Sequence, residues 1–119
     1  MRNYKNIKAW QLADKLVRGI YKETQNFPKE EMYGITSQLR RAAVSVPCNI
    51  VEGCTRKNNK EYLQFLYIAK GSLSEAEYLL SLANSLDYFE KDNYAEIDNL
   101  CQECAKTLYG LLKAVNDNG

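Results

Sequence analysis

From Tyr62 to Ala83 the apolar positions recur in an unbroken four-three alternation: Tyr62, Leu66, Ala69, Leu73, Ala76, Leu80 and Ala83. Steps of three and four keep side chains on one face of a helix with 3.6 residues per turn, whereas a strand needs alternation at every second residue. Such a run predicts a long helix over residues 59–86, with Phe65, Ser72, Leu79 and Leu86 widening its apolar arc. Asn58 stands where a side chain caps the first turn, and Glu61 follows at the spacing of a capping box. The small residues Ala69, Gly71, Ser72 and Ala76 suit close approach by a neighbouring helix. So broad an apolar face exceeds what one four-helix core requires and argues for assembly of some kind.

The rest of the chain keeps the same period. Trp10, Ala13, Val17, Ile20, Thr24 and Phe27, flanked by Leu12 and Leu16, predict a helix over residues 7–25. Pro28 with Glu30 and Glu31 fits a helical first turn, where a missing N–H is harmless and carboxylates meet the positive end of the dipole. A second helix is therefore expected over residues 29–52, with Ile35, Leu39, Ala42, Ala43, Val46 and Ile50 inward and Gly53 as a left-handed cap. Tyr94, Ile97, Cys101, Cys104, Leu108, Leu111 and Val115, beside Leu100 and Leu112, predict a fourth over residues 92–116, before a polar tail, Asn116 to Gly119, that should fray. Short connections between four such helices predict an all-α, antiparallel up-down-up-down four-helix bundle in one domain over residues 1–119.

One local rule is broken. Pro47 lies well inside the second helix, where it lacks the N–H of the helical ladder and crowds the carbonyl of Ala43, at a cost on the order of 3 kcal/mol in a plain helix. A kink is expected there, made tolerable by packing, with the side chains of Ser45 and Asn49 satisfying the carbonyls that the proline frees.

The inventory of reactive groups is thin. The chain has no histidine, which removes the usual general base and any Ser–His or Cys–His nucleophile. Its glycines at 34, 53 and 71 are isolated, so no phosphate-cradling loop forms, and neither enzymatic activity nor a cofactor is expected. Cys101 and Cys104 share a helix face, but two ligands do not make a metal site. Cys48 and Cys54 stand about 600° apart around a helix and point in different directions. Reduced thiols acting as small core residues are the expectation, with no metal. No run approaches the roughly 18 apolar residues of a membrane span, and the N-terminus lacks the apolar segment of a signal peptide. A cytoplasmic location without a membrane partner is expected.

The net charge of +1 conceals an uneven distribution: residues 1–60 hold twelve Lys and Arg against five Asp and Glu, and residues 61–119 hold four against ten. A basic half can bind an anionic partner, or the acidic half of another copy in a head-to-tail assembly. At about 100° per residue Arg41 falls opposite the core and Arg40 at its flank. Arg41 with Arg56, Lys57 and Lys60 forms a candidate surface for RNA or DNA phosphates. Alternatively these are solvated or subunit-interface charges, with Arg40 paired to Glu52, Glu75 or Glu77. Tyr62, Tyr67, Tyr78, Tyr88, Tyr94 and Tyr109 could stack on bases, although their spacing favours packing in a core or an interface.

Three segments carry a resemblance over nearly the whole chain: Tyr33–Gly53 (YGITSQLRRAAVSVPCNIVEG), the upstream Trp10 with Ile20–Pro28 (IYKETQNFP), and Tyr62–Leu80 (YLQFLYIAKGSLSEAEYLL). Together they resemble the bacterial four-helix bundle proteins encoded in intervening sequences of large-subunit ribosomal RNA genes, often labelled as ribosomal protein S23. The bundle is also similar to the accessory variability protein of diversity-generating retroelements. The resemblance implies a closed ring, a homopentamer, and on the retroelement side a nucleic-acid-binding partner of a reverse transcriptase. The near-neutral net charge departs from that relative. The function expected is that of a non-catalytic, oligomeric nucleic-acid-binding or ribonucleoprotein accessory protein. The alternative is a protein–protein interaction scaffold without nucleic-acid binding.

Overall fold

A computed structural model describes residues 2–90 and 92–118. Four helices, α1 (Lys8–Thr24), α2 (Ile35–Cys54), α3 (Asn59–Ser85) and α4 (Asn93–Asp117), are accompanied by 3-10 turns at Tyr4–Asn6 and Lys29–Glu31, with no strand among the described residues. α2 packs against α1 and α3, and α4 packs against α3 and α1, while neither diagonal pair touches among the described residues. The helices thus surround one core. Gly53 lies against Tyr62 and Ser45 bonds to Ser72 across α2 and α3; Gly19 lies against Ile97 and Glu23 bonds to Asn93 across α1 and α4. Partners advance along one helix as they recede along the next, the ordering an up-down-up-down bundle requires.

The apolar alternation places the core. All six inward residues expected of α2, Ile35, Leu39, Ala42, Ala43, Val46 and Ile50, are buried, as are all seven of the α3 alternation. α4 buries Ile97, Cys101, Cys104, Leu108, Leu112 and Val115. α1 is rotated from the expected face: Ala9, Leu12, Ala13, Leu16, Ile20 and Thr24 are buried, whereas Trp10 and Val17 are only partly covered. Leu12 and Leu16 take the centre of its stripe, leaving Trp10 and Val17 at the edge facing α2.

Several local expectations are corrected. Lys29–Glu31 is a separate 3-10 turn, and α2 begins only at Ile35, after a break at Gly34 (φ −119°, ψ −117°). Glu31 explains the break, because its Oε1 accepts the Ile35 N–H at 3.0 Å and caps α2 from outside. Gly53 is not a left-handed cap: α2 continues to Cys54 and Thr55 follows in the right-handed region, its hydroxyl donating to the Glu52 carbonyl at 2.7 Å. A β-carbon on Gly53 would sit 2.9 Å from Tyr62 Cδ1 and 3.0 Å from Phe65 Cβ, so this glycine lets α3 approach α2. Gly71 plays no such part, since a β-carbon there meets nothing within 4 Å.

α2 is helical on both sides of Pro47. Asn49 does not reach the carbonyl of Ala43; its Nδ2 donates to the Ser45 carbonyl at 2.8 Å and to Ser45 Oγ at 2.9 Å. The Ser45 hydroxyl in turn lies 2.7 Å from that of Ser72, so the polar group around the proline ties α2 to α3. Asn58 caps α3 as expected, its Oδ1 accepting the Glu61 N–H at 2.9 Å. Between α3 and α4, Asp87 and Asp92 take positive φ of 61° and 71°, a conformation aspartate tolerates. Asn116 and Asp117 belong to α4 rather than to a frayed tail, and Gly119 lies outside the described residues.

Candidate functional site

One end of the bundle gathers cations. There α2 ends, α3 begins and the N-terminal turn crosses between them. Arg2, a residue with no place in any periodic pattern, holds the crossing together: its Nη1 donates to the Arg56 carbonyl and its Nη2 to Asn59 Oδ1, both at 2.8 Å. Its guanidinium carbon also stands 4.1 Å from the centre of the Tyr62 ring. The C-terminal carbonyl end of α2 favours such a cation.

Arg56 is held flat as well, 4.5 Å from the Phe65 ring centre, with Nε buried and unbonded among the described residues and Nη2 3.7 Å from Glu52 Oε1. That ion pair is partly exposed on both sides and contributes at most about 1 kcal/mol. Lys57 and Lys60 are exposed. Arg2, Cys54, Thr55, Arg56 and Lys57 line a shallow recess of about 570 Å³. The three cations Arg2, Arg56 and Lys57 can hold an anion with acceptor oxygens, whereas the Thr55 hydroxyl has already given its proton to the Glu52 carbonyl.

The structure brings Arg56, Lys57 and Lys60 to this end but separates Arg41 from them. Arg41 is exposed as expected, yet fifteen residues before Arg56 along α2, it lies about 20 Å away by helical rise. Arg40 takes none of its expected carboxylate partners. Its Nε donates to Thr24 Oγ1 at 2.8 Å and its guanidinium covers the Tyr21 ring at 4.6 Å, clamping α2 to α1. The Thr24 hydroxyl can accept because its own proton goes to the Ile20 carbonyl at 2.7 Å. Asn49 bonds Ser45, which meets Ser72 of α3, while Pro47 lines a groove between α2 and α1 with Trp10 and Val17, and neither lines the recess.

The opposite end is acidic. Glu31 Oε2 accepts the Tyr88 hydroxyl at 2.7 Å, and Glu23 accepts from Asn93 at 3.2 Å. The Tyr88 bond, then the Ile35 N–H, holds the Glu31 carboxyl below its ordinary range. Gln102 bonds Glu77 between α3 and α4.

Three of the four thiols are shut inside the bundle. All four cysteines are free and only Cys48 is exposed. Burial pushes the Cys101 thiol up to about 12 and the Cys104 thiol up to about 11. Burial likewise raises Cys54, beside the Tyr62 hydroxyl. No cluster of three or more metal-binding side chains occurs among the described residues. No helix among the described residues is long and apolar enough to cross a membrane. Of the tyrosines, Tyr62 is buried and Tyr88 and Tyr94 are partly covered, whereas Tyr67, Tyr78 and Tyr109 are exposed.

No protein of curated function matches the chain. Its fold is similar to the crystal structure of a protein of unknown function from the S23 ribosomal protein family of Bacteroides thetaiotaomicron VPI-5482. That match has a TM-score of 0.78 and 23% identity, covering 88% of this chain and 95% of the other. Neither that protein nor the matching family is described as an enzyme. The model of the 23S rRNA-intervening sequence protein family matches residues 5–110, and the chain belongs to that family.

Proposed function

We propose that the protein is a non-catalytic accessory protein, oligomeric in its working form, that binds nucleic-acid phosphates at the basic end of the bundle. The observation that carries the reading is the recess lined by Arg2, Arg56 and Lys57. Two of its guanidinium groups are already stacked on aromatic rings, which reduces the conformational entropy lost on meeting a phosphate. Its cations join through backbone and side-chain bonds across two segments far apart in sequence. Since the family is named for intervening sequences of 23S rRNA, RNA is the first ligand to test. A single end with a few cations binds phosphates weakly, and repeating it around an oligomer raises the avidity.

The test is fluorescence anisotropy with single-stranded and duplex RNA and DNA over a salt series. Binding should weaken linearly on logarithmic axes, and the triple variant Arg56→Ala/Lys57→Ala/Lys60→Ala should lower the slope by about 2–3. No binding at low salt overturns the reading. A scaffold for another protein is then the stronger account, favoured by the exposure of Tyr67, Tyr78 and Tyr109.

A further inference from the structure

Thr55 and Arg56 each line two cavities: the basic recess and the open groove of about 660 Å³ between α1 and α2. The two are therefore continuous, and they differ in chemistry. The recess holds Arg2, Arg56 and Lys57 with no carboxylate, whereas the charged residues of the groove are Asp14, Glu52 and Arg56, two carboxylates to one guanidinium. Most of the groove wall is apolar, and its size falls in the range of roughly 300–1,000 Å³ that takes a small organic ligand. Arg40 meets Tyr21 and Thr24 at one end of this helix pair, so Trp10 and Arg56 fall together at the other, beside the recess.

Three features of the groove fall in order from that end. Trp10 and Tyr4 are half-buried and meet edge to face, their ring centres 4.8 Å apart, a contact that occupies only one of the four faces of the pair. Glu52 stands one turn before Arg56, about 6 Å along the axis, and spends only Oε1 on the long ion pair with it. Asp14 stands one turn beyond Trp10 on the same face of α1, and its Oδ2 accepts Arg18 Nε at 3.1 Å, which leaves Oδ1 for another donor. Exposed Cys48 also lines the groove.

We infer that the groove takes the base of an unpaired ribonucleotide whose phosphate lies in the recess, and that guanine fits it best. A second phosphate is repelled from the groove by its two carboxylates, whereas a base is uncharged and offers a π-face to an aromatic ring. The ribose lies between phosphate and base, where its 2′-hydroxyl is a donor for Glu52. A base stacked on Trp10 turns its far edge toward Asp14. Guanine presents two adjacent N–H groups on one edge, which a carboxylate accepts together. Uracil presents one N–H between two carbonyl oxygens, which a carboxylate repels. In a duplex the bases stay paired and stacked, so a duplex reaches the recess alone. The inference rests on the recess being a phosphate site, as proposed above, and adds the base to it.

Cys48 reports whether the groove is filled, through the rate at which it reacts with an aromatic disulfide reagent. Guanosine 5′-monophosphate should slow that reaction at lower concentration than uridine 5′-monophosphate, and inorganic phosphate should not slow it. Asp14→Asn, which exchanges an acceptor oxygen for a donor, should bring the two nucleotides to equal effect. In anisotropy, Trp10→Ala should weaken single-stranded RNA by about ten-fold or more and leave duplex binding unchanged. Circular dichroism checks folding, and Asp14→Asn, on a part-exposed side chain, keeps the test open if Trp10→Ala does not fold. Binding of single strands and duplexes alike, unaffected by Trp10→Ala, overturns the inference and leaves the phosphate reading standing. Equal protection by both nucleotides in wild type, or protection by inorganic phosphate, also overturns it. A Cys48 that is unreactive in the protein alone shows the groove covered by another chain and overturns the inference by itself. Absence of binding to any nucleic acid overturns the phosphate reading and the inference together.

Discussion

Glu31 is a side chain with two tasks, capping α2 through the Ile35 N–H and tying the far end of α3 through the Tyr88 hydroxyl. Both donors favour its charged form, so its pKa in the folded chain lies below the ordinary 4.5. A carboxyl depressed by folding contributes stability that is complete above its unfolded pKa and is lost as pH falls through the folded one. Tyr88→Phe is therefore expected to melt below wild type at pH 7, and the difference should narrow as pH drops beneath 4.5; paired thermal melts at pH 7 and pH 3 measure it. The thiols give a second expectation at this scale. Only the thiolate attacks an aromatic disulfide reagent, and three of the four thiols are buried with raised pKa values. Dilute folded protein should release one equivalent quickly, from Cys48, and the remaining three only in denaturant.

At the scale of the helix, the glycines separate two causes. In Gly53→Ala the new methyl group must displace Tyr62 and Phe65, and overpacking of this kind costs about 1–3 kcal/mol, partly offset by alanine's better helix propensity. Gly110→Ala meets nothing within 4 Å and should add up to about 1 kcal/mol through propensity alone. Urea unfolding of the two variants checks the opposite signs. The helices themselves were legible in the sequence because a three-four period and a burial face are the same property: the α2 face and the α3 alternation are buried throughout, although of the positions expected to widen the α3 arc only Leu79 is buried, Phe65 and Ser72 are partly covered and Leu86 is exposed. Ends were less legible. The Pro28–Glu31 signal for a helix start is real, but it is spent on a 3-10 turn, and only the fold reveals that Glu31 bends back to cap Ile35. Gly53 carries the mark of a cap, yet closeness of Tyr62 is a tertiary fact that no local pattern contains. Arg40 could reach any of several partners by length alone, and Thr24 with Tyr21 became the answer only when α1 was in place.

For the molecule as a whole, the candidate site was half legible. Arg56, Lys57 and Lys60 stand together in the sequence and remain so, but Arg2 is 54 positions from Arg56 and joins it through the folding of the first turn onto the α2–α3 junction. A cation two residues before a capped turn, with a tyrosine and an asparagine awaiting it, leaves no periodic trace. Arg2→Ala is expected to lower the salt slope of nucleic-acid binding by about 1 and to speed amide exchange in Tyr4–Asn6, read by anisotropy and by hydrogen exchange. Cations at one end and carboxylates at the other, along a body 44 Å long and about half as wide, would also govern how the protein met a polyanion. With a net charge of only +1 it feels little overall pull. On the proposed nucleic-acid reading, what it would feel is a torque, which within about 10 Å of a polyanion at 0.1 M salt favours approach with the Arg2 end leading.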